Sequence, residues 1–315
     1  MKNRRAFITG IKSTTISKKE IFFLKKYKPW GVILFSRNIN TLNQTRKLTM
    51  QLRKIFNDKK YPILIDQEGG RVNRLGKIID FSIFTGEFFG NLFIKNLNKF
   101  KSYYTIFINQ TSYILNFIGV NINTMPVLDL RYKKTNKVIS DRSFGSNPNI
   151  VSKIGDFCIN KLHSNKIGSV IKHIPGHGLS NKDSHKSTPT VTAKKKYLYS
   201  KDFITFKNKK SFFAMTAHII YADIDKNFTA THSKKVIDLI RNKIKFKNII
   251  ITDDISMKSL KYSIKENTTK AFNAGCNIVL HCNGNYSEML KVAENSPKLD
   301  RFLIKKTSQF YKILS

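Results

Sequence analysis

The sequence predicts an α/β fold, most simply a (β/α)₈ TIM barrel formed by residues 1–315 as a single domain. Eight short apolar runs alternate with helical patterns along the chain, which is typical of parallel βαβ units. The chain length suits a barrel, for which roughly 250 residues are usual. The rival fold is a doubly wound open sheet, but no glycine-rich dinucleotide fingerprint follows the first predicted strand.

The predicted strands are short and almost wholly apolar, as expected of strands that are buried on both faces. They lie at residues 6–9, 31–35, 61–65, 120–122, 168–171, 212–215, 248–251 and 277–280. Several stop abruptly at polar residues. The third strand, for example, leads directly into Asp66.

The predicted helices are amphipathic, and several have recognisable ends. Ser17 and Glu20 have capping-box spacing, Thr41 can cap the next helix, and Gly275 provides a glycine stop. The helices lie near residues 17–27, 41–55, 103–117, 150–164, 201–206, 233–240, 271–275, 287–293 and 299–314. Residues 81–97 are aromatic and irregular and predict no clear element.

The composition is strongly basic, with 57 lysines and arginines against 20 acidic residues and a formal net charge of +37. Such a charge is typical of a nucleic-acid-binding surface, but it also arises when lysine simply fills solvent-facing positions. The lysines are spread through every segment of the chain, with only short runs such as Lys194–Lys196. We therefore expect no specific nucleic-acid partner, although a basic nucleic-acid-binding protein remains an alternative.

Three features predict a cytoplasmic protein with no membrane association. No apolar run approaches the roughly 20 residues that a membrane helix needs. The basic start Met1–Arg5 is not followed by the uninterrupted apolar core of a signal peptide. The three cysteines have no metal-ligand spacing, and a low, odd count suits a reducing compartment. We expect a monomer.

In the predicted barrel, several ionisable residues would lie together at the carboxyl ends of the strands. Active sites of such barrels are found at that end. Buried charges need partners, so these residues are expected to converge on one polar pocket. The residues just past predicted strand ends are Arg37, Asp66, Asn123, Lys172–His173, His218, Asp253 and His281.

The stretch from Ile171 to His185 holds most of the chemistry. Asp183 and His185 are separated by one residue, so their side chains share one side of an extended loop and can form an acid/base dyad. The alternative is a metal-dependent barrel hydrolase that uses His173, His177 and His185. Prolines and glycines between these histidines argue against the helix that a zinc-binding His-x₃-His pair needs.

A pair of carboxylates, Asp253 and Asp254, follows another predicted strand. One of them could be a nucleophile and the other its neighbour, or either could cap the next helix. The residues alone do not decide between these roles.

The ordered motifs resemble glycoside hydrolase family 3, most closely its single-domain bacterial β-N-acetylglucosaminidases of peptidoglycan recycling. They occur in sequence along nearly the whole chain, and the ordered set is specific although each motif alone is weak. The motifs are GVILFSRN (31–38), DQEGGRVNR (66–74), PVLD (126–129), DRSF (141–144), KHIPGHG (172–178), DSH (183–185), MTAH (215–218), DDISM (253–257) and AGC (274–276).

The resemblance implies a retaining glycoside hydrolase that acts on terminal β-linked N-acetylglucosamine of peptidoglycan fragments, the GlcNAc-anhydro-muropeptides. Asp253 matches the family nucleophile, and His185 with Asp183 matches its acid/base dyad. The positions that match contacts to N-acetylglucosamine are Asp66, Arg74, Arg142, Lys172 and His173. We expect neither a metal nor another cofactor, because a Pro–Gly break separates His173 from His177.

This assignment agrees with the chemistry of glycoside hydrolysis. An oxocarbenium-like transition state needs a carboxylate on one face of the sugar and a proton donor at the leaving oxygen. Histidine can be that donor if a carboxylate holds its tautomer. The sequence departs from the family at Thr188–Pro189 and at Lys258–Ser259, which affects the fit of two loops rather than a catalytic position.

Overall fold

The computed structural model describes residues 1, 3–133, 135–136, 138–180, 184 and 187–315. Its centre is a closed barrel of parallel strands in the order β1-β10-β9-β7-β5-β4-β3-β2, which confirms the predicted (β/α)₈ architecture. The strands are β1 (Arg5–Gly10), β2 (Pro29–Leu34), β3 (Ile63–Ile65), β4 (Ile122–Asn123), β5 (Gly168–Ile174), β6 (Thr190–Val191), β7 (Phe213–Thr216), β8 (Ile220–Tyr221), β9 (Ile249–Asp254) and β10 (Ile278–His281). The short strands β6 and β8 pair with each other outside the barrel.

The helices form the outer layer of the barrel. They are α1 (Lys18–Tyr27), α2 (Leu42–Phe56), α3 (Gly86–Lys95), α4 (Leu97–Phe117), α5 (Pro148–Ser164), α6 (Lys195–Ser200), α7 (Lys234–Asn242), α8 (Ile264–Ala274), α9 (Tyr286–Glu294) and α10 (Arg301–Ile313). The capping box of Ser17 and Glu20 is present, and Gly275 ends α8 with φ +104°, as predicted.

The barrel strands are buried because side chains pack against both of their faces. Inward-facing residues such as Ile33, Val170 and Ile249 fill the barrel interior. Outward-facing residues such as Val32 and Ile171 pack against the surrounding helices in a second cluster. This two-layer packing explains why the strands appear in the sequence as continuous apolar runs rather than as alternating patterns.

The last helix, α10, closes the amino-terminal end of the barrel. The ring of Phe310 packs against Phe213 with centroids 5.2 Å apart. Trp30 donates a hydrogen bond of 2.9 Å from its indole Nε1 to Thr307. The polar side chains lie at the opposite end of the barrel, where the strands finish.

Several boundaries differ from the sequence prediction. Helix α3 was not predicted, and the single helix expected at 201–206 is instead α6 followed by a short 3₁₀ turn at Phe203–Phe206. Strand β5 continues through Lys172 and His173 to Ile174. Within the described ranges, no helix combines the length and the apolar run needed to cross a bilayer.

Candidate active site

A cavity of about 190 Å³ opens at the carboxyl ends of the barrel strands. All five predicted sugar contacts and Asp253 line it, so the structure brings these residues together. The described lining residues are Phe35, Asp66, Glu68, Val72, Arg74, Val138, Arg142, Lys172, His173, His177, Ser184, Met215, Asp253, Asp254, Met257, Leu280 and Cys282.

Lys172 is the centre of a charge network on one wall of the cavity. Its ammonium lies 2.6 Å from Glu68 Oε1 and 3.2 Å from Asp66 Oδ1. It also donates a hydrogen bond of 2.8 Å to Thr124 Oγ1. Because the lysine is only 2% exposed, its charge acts on these carboxylates with little screening by water.

Two arginines complete this network. Arg142 binds Glu68 in a bidentate manner, with Nε and Nη2 each 2.8 Å from a carboxylate oxygen. Arg74 donates from Nη2 to Asp66 Oδ2 over 3.2 Å. The carboxylates are therefore held at fixed positions in the cavity.

The cations keep both carboxyl groups ionised. Burial alone would raise the pKa of Asp66, but Lys172 and Arg74 hold that pKa well below its usual range. Burial is likewise outweighed at Glu68, where Arg142 and Lys172 lower the pKa to about 2. At neutral pH the wall therefore presents ionised carboxylate acceptors beside the ammonium and guanidinium groups that bind them.

A second wall is organised by Asp129, which is completely buried. Its carboxylate accepts a 2.7 Å hydrogen bond from His173 Nδ1 and bonds from the backbone N–H groups of His173 and His177. This pairing fixes the imidazole of His173 so that its other nitrogen, Nε2, is left for a ligand.

His177 connects this wall to the segment that carries the predicted dyad. Its Nε2 lies 3.3 Å from Ser184 Oγ, and Ser184 lines the cavity. Burial lowers the pKa of His177 to about 4, so its ring is neutral at physiological pH. Asp183 and His185 lie outside the described residues, and their assignment as an acid/base dyad stays a prediction.

The two adjacent carboxylates at the end of β9 have different environments. Asp254 accepts hydrogen bonds from the backbone and hydroxyl of Ser256 and from the backbone of Cys282. Asp253 accepts one bond of 2.8 Å, from the Asp254 N–H to Oδ1, and within the described residues its Oδ2 has no hydrogen-bond partner. Asp254 thus stabilises the local turn, while Asp253 has an oxygen available to a ligand.

Asp253 is ionised at neutral pH. Burial would raise the pKa of its carboxyl, but His218, His173, the Asp254 N–H and Lys172 together hold that pKa below its usual value. The ring of His218 uses both nitrogens, one on Thr231 Oγ1 at 2.7 Å and one on the backbone oxygen of Asp254 at 3.0 Å. His218 therefore holds the end of β9 in place.

Four residues that were expected to converge on the pocket do not line it, and for them the sequence prediction was wrong: Arg37, Asn123, His218 and His281. Arg37 donates to the backbone oxygens of Ile11 and Cys282. Asn123 binds the backbone of Gln67, and His281 pairs with Glu288 over 2.8 Å. A position at a strand end does not fix the direction of the side chain, because successive residues of a strand point to opposite faces.

Glu68 and Asp129 were missing from the predicted site, and His177 was considered only as a ligand in the alternative metal set. All three lie inside motifs of the sequence, and the signal that could have found Glu68 and Asp129 is the need of a buried cation or imidazole for a carboxylate partner. Within the described part of the chain, no group of three or more histidines, cysteines or carboxylates is placed to hold a metal ion. His185, a member of the alternative metal set, lies outside that part.

Comparison with known proteins finds extensive similarity. The model of the family described as Glycosyl hydrolase family 3 N terminal domain matches residues 8–306. A β-hexosaminidase of Actinobacillus pleuropneumoniae serotype 3 (strain JL03) is 31% identical over 288 residues, covering 88% of this chain and 80% of the relative. A β-hexosaminidase of Haemophilus ducreyi is 32% identical over 288 residues, with the same shares of each chain.

Solved structures agree with these relatives. NagZ from Neisseria gonorrhoeae in complex with N-trifluoroacetyl-D-glucosamine superimposes with a TM-score of 0.88 at 26% identity, covering 98% of this chain and 90% of that one. The same protein in complex with zinc ion gives a TM-score of 0.83, with the same identity and the same shares of each chain. From the family match over nearly the whole length, the shared barrel and the clustering of the motif residues in one cavity, we conclude that this chain belongs to glycosyl hydrolase family 3.

Proposed function

We propose that this protein is a retaining β-N-acetylglucosaminidase that removes terminal β-linked N-acetylglucosamine from peptidoglycan fragments. Relatives of similar length are β-hexosaminidases, and a structural neighbour binds an N-acylated glucosamine. We infer that the substrate is a muropeptide and that the protein acts in the cytoplasm as a monomer.

The observation that carries the proposal is the convergence of Asp66, Lys172, Arg142 and His173 on the cavity that Asp253 lines. Their charges are neutralised within the wall itself, so the cavity offers many fixed donors and acceptors rather than a large net charge. Such a lining suits a hydroxyl-rich uncharged sugar ring, whose specificity comes from a few well-placed polar groups.

The proposed reaction has two steps. Asp253 attacks the anomeric carbon while His185 donates a proton to the leaving oxygen, which gives a glycosyl ester on Asp253. His185 then removes a proton from water, which attacks the same carbon and releases Asp253 with overall retention. Asp183 orients His185 in both steps.

The acceptor in the second step is open to experiment, since phosphate could replace water. A neutral or cationic histidine repels an anionic acceptor less than a carboxylate base does. We therefore assay an aryl β-N-acetylglucosaminide with and without phosphate and follow the sugar product by NMR.

The same assay tests retention of configuration. Release of the β-anomer first supports the proposal, whereas an α-anomer first, or no cleavage, contradicts it.

We infer that the reaction needs no metal ion. The Nδ1 of His173 is occupied by Asp129, and a Pro–Gly break separates His173 from His177. Because a relative has been crystallised with zinc, zinc titration is the informative measurement. Full activity after chelation supports the inference. Activity lost on chelation and restored by zinc contradicts it.

A further inference from the structure

The amino-terminal end of the barrel, opposite the cavity, is a continuous surface built around α10. Lys306 Nζ donates to Asn248 Oδ1 over 2.7 Å, and Lys60 Nζ donates to the Tyr311 backbone oxygen over 3.0 Å. These bonds join α10 to the connections that precede β9 and β3. We call this surface the basal face. It comprises residues 3–5, 28, 57–62, 118–121, 165–167, 207–212, 243–248, 275–277 and 295–300, together with the exposed side of α10.

Exposed cations crowd the basal face. Most are lysines in the connections that lead from a helix into the next strand. The exposed cations are Lys28, Lys59, Lys166, Lys207, Lys210, Lys243, Lys245, Lys247, Lys298, Arg301, Lys305 and Lys312.

These charges are not neutralised locally. The side-chain carboxylates of the basal face are Asp58 and Asp300. Asp58 binds Arg4 and Tyr311, and Asp300 caps α10 by accepting from the Leu303 N–H. Among the described residues, none of the exposed cations of the face forms an ion pair with a carboxylate. The carboxylates of the candidate active site lie at the other end of the barrel.

Unpaired positive charge is therefore concentrated at one end of the barrel, and the sequence alone does not show this. Lysines recur at most of the turns that lead from a helix into the next strand, although not at 118–121 or 275–277, and parallel topology brings these turns to one end. Helix dipoles favour a cation in the last turn of a helix. That preference does not explain Lys210, Lys245 and Lys247, which lie beyond helix ends, or Arg301, which opens α10 where a cation is disfavoured.

We propose that the basal face binds the phosphate backbone of double-stranded nucleic acid without sequence selection. Repeated phosphates supply the anionic partner that the face lacks, and their binding releases counterions. Lysine provides point charges rather than the planar fork that recognises base edges, so the contacts hold the backbone only. The strongly exposed apolar residues lie mainly elsewhere, as at Ile94, Ile106 and Tyr113, so insertion into a membrane is not favoured.

The test compares two variants of equal net charge. In the basal variant Lys207, Lys210, Lys245, Lys247 and Lys305 are changed to Gln. In the control variant Lys47, Lys95, Lys99, Lys101 and Lys265, which are exposed away from the basal face, are changed to Gln. Binding to a random-sequence duplex is measured by fluorescence anisotropy over a series of NaCl concentrations. Thermal melting and hydrolysis of an aryl glycoside check the fold of each variant.

The basal variant is expected to bind at least about tenfold more weakly, with a salt slope reduced by up to about 4.5, since each of the five lost phosphate contacts lowers it by about 0.9. The control variant should bind within about twofold of the native protein. Acetylation of the native protein, mapped by mass spectrometry, should show basal lysines protected by the duplex, and this readout needs no variant.

Equal loss of affinity in both variants would overturn the proposal, because the charge would then act diffusely. So would undetectable duplex binding by the native protein at low salt. Tight binding to vesicles of anionic phospholipid, lost in the basal variant while duplex binding is unchanged, would assign the face to a lipid surface instead.

Discussion

Asp253 and Asp254 show how two adjacent carboxylates acquire different roles. From the residues alone both are candidates, the family resemblance points to Asp253, and in the structure their hydrogen bonds differ. Asp254 is engaged by Ser256 and Cys282, while Asp253 keeps one oxygen open to the cavity. The backbone N–H donors of the turn could not be located without the fold, so this difference in hydrogen bonding was beyond the sequence.

At the same scale, Asp129→Asn should weaken catalysis through His173. The amide cannot accept from all three N–H groups that now bond to the carboxylate. Leaving one buried donor unsatisfied costs about 1–3 kcal/mol, which corresponds to a loss in kcat/KM of about fivefold to about 150-fold. We expect the effect mainly in KM, because His173 is proposed to contact the sugar.

The matched control for this change is Asp156→Asn, which removes the partner of Lys209 far from the cavity. Steady-state kinetics and melting should be measured on both variants. A loss of stability with no change in kcat/KM for Asp129→Asn would show that the residue has no positioning role in catalysis.

A second residue-scale prediction concerns His185 as the proton donor. An acid matters in proportion to the need of the leaving group for a proton. His185→Ala should therefore lose little in the glycosylation step with an activated phenol and much more with a disaccharide. Pre-steady-state bursts across a series of leaving groups provide the measurement. Losses that do not vary with the leaving group would remove His185 from the acid role.

At the scale of elements, α3 was missed because its sequence, Gly86–Lys95, contains two glycines and has no sharp polar face. Its formation depends on tertiary contact. A Cβ added at Gly90 would lie 1.7 Å from the Phe144 backbone oxygen, so the helix packs directly on the turn beyond Arg142. Close packing of this kind leaves no periodic signal in the sequence.

We therefore expect Gly90→Ala to destabilise the protein by about 1–3 kcal/mol, the usual effect of overpacking. Activity should also fall, since the displaced turn follows the Arg142 that binds Glu68. Gly76→Ala is the control, because its Cβ would make only ordinary contacts at 3.5 Å. Urea unfolding of both variants is the measurement, and equal stabilities would contradict the packing argument.

The barrel strands were easier to predict from the sequence than helix α3. Each barrel strand, including the short β4 that begins at Ile122, overlaps one of the predicted apolar runs, because burial on both faces demands such a run. The extension of β5 through Lys172 and His173 could not be predicted, because polar residues at this point in the sequence indicate the end of a buried strand. In the fold, the buried charge of Lys172 is stabilised by Asp66 and Glu68.

For the whole molecule, the stability should depend on pH through buried histidines. Burial lowers the pKa of His163 and His177 to about 4 and that of His232 to about 3. Their ordinary value is 6.5, so between pH 6.5 and 4 the unfolded chain binds more protons than the folded one. The free energy of unfolding should therefore fall as the pH is lowered through this window.

Melting at pH 7 and at pH 4.5 tests this dependence, with His163→Gln as the variant that should flatten it without touching the cavity. The carboxylates of the site contribute in a different window. The pKa of Glu68 is lowered from 4.5 to about 2, so its stabilisation is present above pH 4.5 and is lost only at more acid pH. A melting temperature that stays constant between pH 7 and 4.5 would contradict the assignment of neutral, buried histidines.

The distribution of charge over the surface was the property that was hardest to predict from the sequence. Net charge is additive and was known from the residues, but its distribution depends on which turns share an end of the barrel. In a parallel barrel all strand ends meet at one end of the molecule, which is why Asp66 and Asp253 could be predicted to lie in one cavity. For the same reason, the lysines of the helix-to-strand turns lie together at the opposite end.

The proposed covalent bond between Asp253 and the sugar is tested most directly by trapping the glycosyl intermediate. The native protein, His185→Ala and Asp254→Asn are mixed with an activated aryl β-N-acetylglucosaminide, quenched in acid, digested and mapped by mass spectrometry. We predict an N-acetylhexosamine adduct on Asp253 that accumulates in His185→Ala, because deglycosylation lacks its base, and that still forms in Asp254→Asn. Failure to find any adduct under conditions of rapid phenol release, or an adduct on another residue, would contradict the mechanism.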